Sequence, residues 1–259
     1  MSDKVIVSEA VEALAAQKPT RFPREMLLVI IVLAVLWEIL SWLVPPYVIP
    51  GWGRIFTSLA QLRVDFVVIT LLRVAAALFI SFVLGLALAV AMYRWTAVEN
   101  YVRPAVRLLM AVPVVCWILF SVLWFKWVEF RIAFVLTVVC APVFVVDMLD
   151  GMKGVPRQLR DMLRSFRPSR THFFTKLVLP AIVPTILTSW KINLSLAIRV
   201  VTIAELVGAV SGIGYGLVVA QELFSVADVF AWTLVLVVVL FLAEAILSLI
   251  EERMLRWRS

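Results

Sequence analysis

FVVITLLRVAAALFISFVLGLALAVAMY, Phe66 to Tyr93, carries one charge, Arg73, in a run longer than the roughly 20 apolar residues that cross a bilayer. Met26 to Val44, opening MLLVIIVLAVLW, is a second such run, and Val229 to Ile250 is another. Apolar residues make up 64% of the chain and the mean hydropathy is +1.06. These runs predict an all-α, polytopic membrane protein, with about six transmembrane helices at 26–44, 66–93, 105–125, 132–149, 181–206 and 229–250. The expected organisation is a cytoplasmic N-terminal segment, 1–25, followed by a transmembrane domain, 26–259. The first 25 residues show no secretory signal, so the first helix is expected to be retained.

The net charge of +7 is distributed by side rather than gathered on one face. Basic residues concentrate in 1–25, 94–104, 150–180 and 251–259, whereas the alternate segments hold only Arg54, Arg63, Lys126 and Arg131. The positive-inside rule then places both termini in the cytoplasm and argues against a nucleic-acid partner. Cys116 and Cys140 lie in apolar runs and read as small hydrophobes. A lone histidine, His172, builds no histidine-based metal centre, so no metal site and no catalytic residue are expected.

Three segments carry candidate function. In the long basic loop after residue 150, Leu159, Met162, Leu163 and Phe166 recur at the i, i+3, i+4, i+7 spacing of one helix face. Pro168 blocks helical geometry at Arg167, so two short helices with a bend are expected. Such an apolar face fits either a groove on another protein or the lipid headgroup layer.

On the fifth expected crossing, Lys191, Ser195, Arg199, Thr202 and Glu205 are spaced 4, 4, 3 and 3, the spacing of helix neighbours. They form one polar stripe about 21 Å long at 1.5 Å per residue. Intramembrane ionisable groups face protein or water rather than lipid, so the stripe is expected to line a translocation path. Arg199 would favour an anion there, or else pair internally with Glu205, Glu38 or Glu244. Arg73 reads as a structural or interfacial anchor.

Gly208, Gly212, Gly214 and Gly216 are four of the nine glycines. No strand precedes them and no lysine follows, so they match no phosphate-binding pattern. They read as a turn between crossings or as a bent outer gate.

The stretch DMLRSFRPSRTHFFTKLVLP, 161–180, resembles the signature loop of ABC importer permeases of the binding-protein-dependent type. Asp161 takes the position of the family's glutamate, and Leu179-Pro180 closes the motif in register. Met162 and Leu163 replace the family's alanines, and Arg167-Pro168 replaces its glycine turn. Pro45-Pro46-Tyr47 to Pro50, Val112-Pro113 through Trp124-Phe125, Ala204-Glu205-Leu206-Val207-Gly208-Ala209 and Ser211-Gly212-Ile213-Gly214-Tyr215 resemble the nitrate, sulfonate and taurine branch.

The resemblance implies a type I importer permease fold and a pore-forming subunit without its own ATPase site. No G-x-x-x-x-G-K-[ST] segment exists, in keeping with ATP and Mg being held by a partner ATPase. It implies a coupling loop at about 155–178 with Leu159, Asp161, Met162, Leu163, Phe166, Arg167, Pro168 and Ser169 against that ATPase. It implies a translocation path through Ser195, Arg199, Thr202 and Glu205, and an outer gate at Gly208, Gly212, Gly214 and Tyr215. The implied partners are a second permease chain (as a homodimer or one half of a heterodimer), two ABC ATPases and an extracytoplasmic solute-binding protein, in the bacterial cytoplasmic membrane. The solute would be small and polar, of the sulfonate, nitrate or carboxylate class. The rival reading, an ion-gradient-driven secondary transporter or channel, predicts internal repeats around a midplane site, and no repeat is visible.

Overall fold

A computed structural model describes residues 24–45, 47–166 and 169–254. Every regular element among them is helical. They are α1 (Arg24–Leu43), α2 (Trp52–Gln61), α3 (Val64–Arg94), α4 (Thr96–Ala111), α5 (Val114–Trp124), α6 (Val128–Lys153), α7 (Arg157–Ser165), α8 (Arg170–Phe173), a π-helical turn (Phe174–Val178), α9 (Leu179–Gly208), α10 (Ile213–Glu222) and α11 (Val226–Met254). The expected cytoplasmic segment 1–25 and the coupling residues Arg167 and Pro168 fall wholly or largely outside the described residues.

The chain divides into two units, 1–56 and 57–259. In the first, tryptophan N–H groups fasten the chain reversal after α1. Trp37 Nε1 donates to Pro50 O at 3.1 Å, and Trp52 Nε1 donates to Ala34 O at 3.0 Å. The Trp52 backbone N–H donates to Glu38 Oε2 at 3.1 Å. Both indole N–H groups thus serve as hydrogen-bond donors that hold the loop.

In the second unit, α3 crosses α6 at closest approach where Gly85 faces Phe144. A Cβ at Gly85 would stand 2.6 Å from Phe144 Cβ, so only glycine admits this crossing. Phe82, Phe144 and Trp190 then stack edge-on or tilted with centroids 5.4–5.7 Å apart, joining α3, α6 and α9. Ser189 Oγ donates to Asp147 Oδ2 at 2.6 Å, and Asn193 Nδ2 donates to Ser189 O at 3.0 Å. The Ser189–Asp147 bond joins α6 to α9 inside an apolar bundle, while Asn193 bonds within α9 and its buried Oδ1 has no hydrogen-bond partner among the described residues.

Among the described residues, four helical segments are long and apolar enough to cross a membrane: α3, α6, Phe174–Gly208 and α11. Among those residues a fifth crossing is available as a broken one, because α4 and α5 meet at 93°. The expected straight crossing at 105–125 is therefore corrected. Val112 leaves the helix at φ −76°, ψ 126°, as a residue before proline does, and Pro113 starts a new helix. The sixth expected position, 26–44, coincides with α1, whose apolar stretch Ile31–Leu43 is shorter.

A second correction concerns Leu179-Pro180, expected to end the long loop. The helix runs through it instead. Pro180 lacks an N–H and its ring would clash with the carbonyl one turn back. The π-helical turn at Phe174–Val178 widens the helix at that point, and Leu179 N–H bonds to Phe174 O.

Candidate functional sites: an exposed helix, a buried ion-pair network and an exposed arginine

The segment expected to couple begins with α7, a nine-residue helix that leaves α6 through the Gly154–Pro156 turn. Leu159, Met162 and Phe166 are 43%, 59% and 76% exposed, on one side at spacings of 3 and 4. Leu163 is half-buried, and Asp161 and Ser169 are exposed. Ser169 Oγ accepts from His172 N–H at 3.2 Å and so starts α8, the role serine plays at helix N-termini. The sequence expectation of one amphipathic face is met in geometry. Nothing else in the described chain covers that face.

At the opposite end of the spans the structure assembles a charged network that sequence reasoning did not foresee. Arg73, on α3, and Glu205, on α9, join at 2.7 Å, with side chains 6% and 0% exposed. Arg73 also donates to Glu129 Oε2 (2.8 Å) and Oε1 (2.5 Å), to Ser211 O (2.7 Å) and to Ser211 Oγ (3.0 Å). Glu205 accepts from Thr70 Oγ1–H at 2.9 Å and from Gly214 N–H at 2.9 Å, while Thr70 Oγ1 accepts from Ile213 N–H at 2.9 Å. A buried charge is tolerable only when paired and hydrogen-bonded, and here the buried Arg73 and Glu205 each meet several partners, while the more exposed Glu129 pairs with Arg73 alone.

This network holds the expected gate segment. Gly212 has φ +108°, a backbone conformation open to glycine, and a Cβ there would fall 2.3 Å from the Glu205 carboxyl. A Cβ at Gly214 would fall 2.3 Å from Thr202 O. Gly208 lies under the Arg131 guanidinium, which donates to Gly208 O at 3.1 Å and so caps the C-terminus of α9. Tyr215 packs edge-on against Phe66 at 5.7 Å and lines a cavity of about 360 Å³ with Arg63, Asp228 and Trp232.

The five-residue stripe on α9 divides. Lys191 pairs with Glu251 and Ser195 Oγ donates to Glu244 Oε1 at 3.0 Å, both on α11. Thr202 Oγ1 donates to its own helix at Ile198 O. Glu205, expected on an open path, is fully buried and pairs with Arg73, so it is not the partner of Arg199 that the sequence offered beside Glu38 and Glu244. Arg199 is exposed and makes no ion pair or hydrogen bond among the described residues. Sequence held one clue to the missed partnership. An arginine inside the apolar run 66–93 requires an acid from another helix.

Among the described residues no group of three or more histidines, cysteines, aspartates or glutamates is placed to hold a metal ion.

The family model described as "Binding-protein-dependent transport system inner membrane component" matches residues 81–256. The putative aliphatic sulfonates transport permease protein SsuC of Bacillus subtilis (strain 168) is 26% identical over 97% of this chain and 94% of its own. The taurine transport system permease protein TauC of Escherichia coli (strain K12) is 28% identical over 73% of this chain and 69% of its own. The fold is shared with the MetNI methionine ABC transporter solved in inward-facing conformations, at a TM-score of 0.65 and 18% identity, over 76% of this chain and 95% of that one.

Proposed function

Since the chain belongs to the family of binding-protein-dependent transport system inner membrane components, and is thus a multi-pass permease of an ABC importer, we propose that it forms the pore for a small polar anion and draws its power from a separate ATPase through α7. The observation that carries the coupling reading is the bare apolar face of α7. Leu159, Met162 and Phe166 project together from a short helix, an arrangement that fits the groove-binding mode in which a partner receives residues spaced i, i+3, i+7. Asp161, Leu163, Arg167, Pro168 and Ser169 complete the coupling segment at about 155–178. ATP and Mg belong to the partner ATPase, and this chain does no covalent chemistry.

The transmembrane domain, 26–259, works as one of two permease copies, with both termini in the bacterial cytoplasm and an extracytoplasmic binding protein delivering solute. Arg199 supports an anionic solute of the sulfonate, nitrate or carboxylate class. A guanidinium exposed within a long apolar helix, more than two turns from its nearer end, is costly against lipid and is stabilised by facing a watered path. Sulfonate and taurine permeases among the relatives agree with that class. Ser195 and Thr202 flank Arg199 on the same helix, and Gly208, Gly212, Gly214 and Tyr215 close the path outside. Glu205 takes part as the anchor of that closure.

Met162→Glu and Phe166→Glu test the coupling. Both side chains are exposed, so the purified chain should keep its melting temperature while losing the ATPase in co-purification. Retention of the ATPase by the double variant would overturn the reading.

A further inference from the structure

Between α4, α6 and the last turn of α3 lies a cavity of about 160 Å³ at the end of the spans that carries α7. Met92, Val106, Val145 and Leu149, all buried, line it on its apolar side, and Arg103 and Arg107 stand at its rim. The two arginines are four residues apart on α4 and so share a helix face. Arg103 is already engaged, 2.8 Å from Glu99 and 4.0 Å from Asp150. Arg107 is exposed and has no ion pair or hydrogen bond among the described residues. Asp150, also at the rim, offers an acceptor beside the free cation. The helix that carries both arginines is amphipathic and turns 93° from its successor; it exposes Tyr101 and Leu108, and Trp95 is exposed just before its first turn. Aromatic and basic residues together are the composition of a membrane interface.

We propose that this cleft binds the headgroup of an anionic phospholipid with hydroxyls, of the phosphatidylglycerol type, from the cytoplasmic leaflet. The phosphodiester sits on Arg107, with Arg103 behind it. A headgroup hydroxyl donates to Asp150, and the first acyl carbons lie against Val106 and Val145. Basic pockets between helices on the cytoplasmic side recognise such headgroups by this combination of charge and apolar wall. The inference rests on the orientation given above but not on the nature of the solute or the coupling partner.

The test uses the full chain in its complex, in nanodiscs of phosphatidylcholine alone or with phosphatidylglycerol added. Native mass spectrometry counts retained phosphatidylglycerol, and a thermal melt reports stabilisation. Wild type should retain the anionic lipid and melt higher with it. Arg107→Gln should weaken retention about fivefold, the effect of one basic residue near an anionic surface, and Arg107→Lys should restore part of it. Lys126→Gln, which removes an exposed cation at the other end of the spans, should change nothing. Equal retention by Arg107→Gln and wild type would overturn the proposal. So would equal stabilisation by inorganic phosphate in phosphatidylcholine discs, which would assign the cleft to a free anion. Because none of these readouts involves uptake or ATP, they fail or succeed separately from the permease reading.

Discussion

Arg73 Nη1 and Glu205 Oε1 stand 2.7 Å apart although 132 residues separate them in sequence, and neither side chain has appreciable access to solvent. The pair ties α3 to α9 at the end of the spans opposite α7, and the same two groups bind Ser211 and Gly214 of the glycine segment. A single electrostatic unit thus joins two spans to the glycine segment that follows α9.

Removing one partner leaves the other charged and buried, which costs about 3–5 kcal/mol, whereas replacing both by apolar groups of similar volume is often close to neutral. Arg73→Met should therefore destabilise the purified complex strongly. Arg73→Met combined with Glu205→Leu should recover much of that loss. A double-mutant cycle by thermal melting checks it, and additive losses would contradict the network.

Gly212→Ala should be among the most harmful single-methyl changes in the chain. Its φ of +108° disfavours any side chain, and the methyl would overlap the Glu205 carboxyl. The expected result is a lowered melting temperature and lost uptake. Gly53→Ala, whose Cβ would meet nothing within 4 Å, should leave both unchanged.

Arg199→Gln should reduce uptake of an anionic solute roughly ten- to hundredfold, the worth of one hydrogen bond to a charged group. Assembly with the ATPase should persist, because Arg199 holds no partner within the described chain. Uptake assays on the variant, set beside co-purification, check this. Collapse of the complex would mean that Arg199 serves structure instead.

Hydropathy located α3, α6 and α11 to within a few residues because a bilayer-crossing helix integrates its signal over many positions. It missed the break at Val112-Pro113 for the same reason, since averaging along the chain hides a change of direction between two apolar helices. It read 94–104 as a loop because Glu99 and Arg103 are charged. In the structure they lie on an amphipathic helix, where Glu99 pairs with Lys153 at 2.5 Å and Arg103 at 2.8 Å. Helical spacing put Leu159, Met162, Leu163 and Phe166 on one face, since that relation is local; in the structure Leu163 is half-buried and the other three are exposed. It also grouped Lys191 through Glu205 into one stripe, but Lys191 and Ser195 meet α11, Glu205 meets α3 and Thr202 bonds to its own helix, and periodicity within one helix carries no information about which neighbour each residue meets.

Uptake into proteoliposomes holding this chain, its ATPase and its binding protein tests the central claim most directly, with ATP and ion gradients varied independently. The account predicts accumulation that requires ATP on the α7 side and survives collapse of every ion gradient. Uptake by the chain alone, driven by an ion gradient and indifferent to ATP, would contradict it.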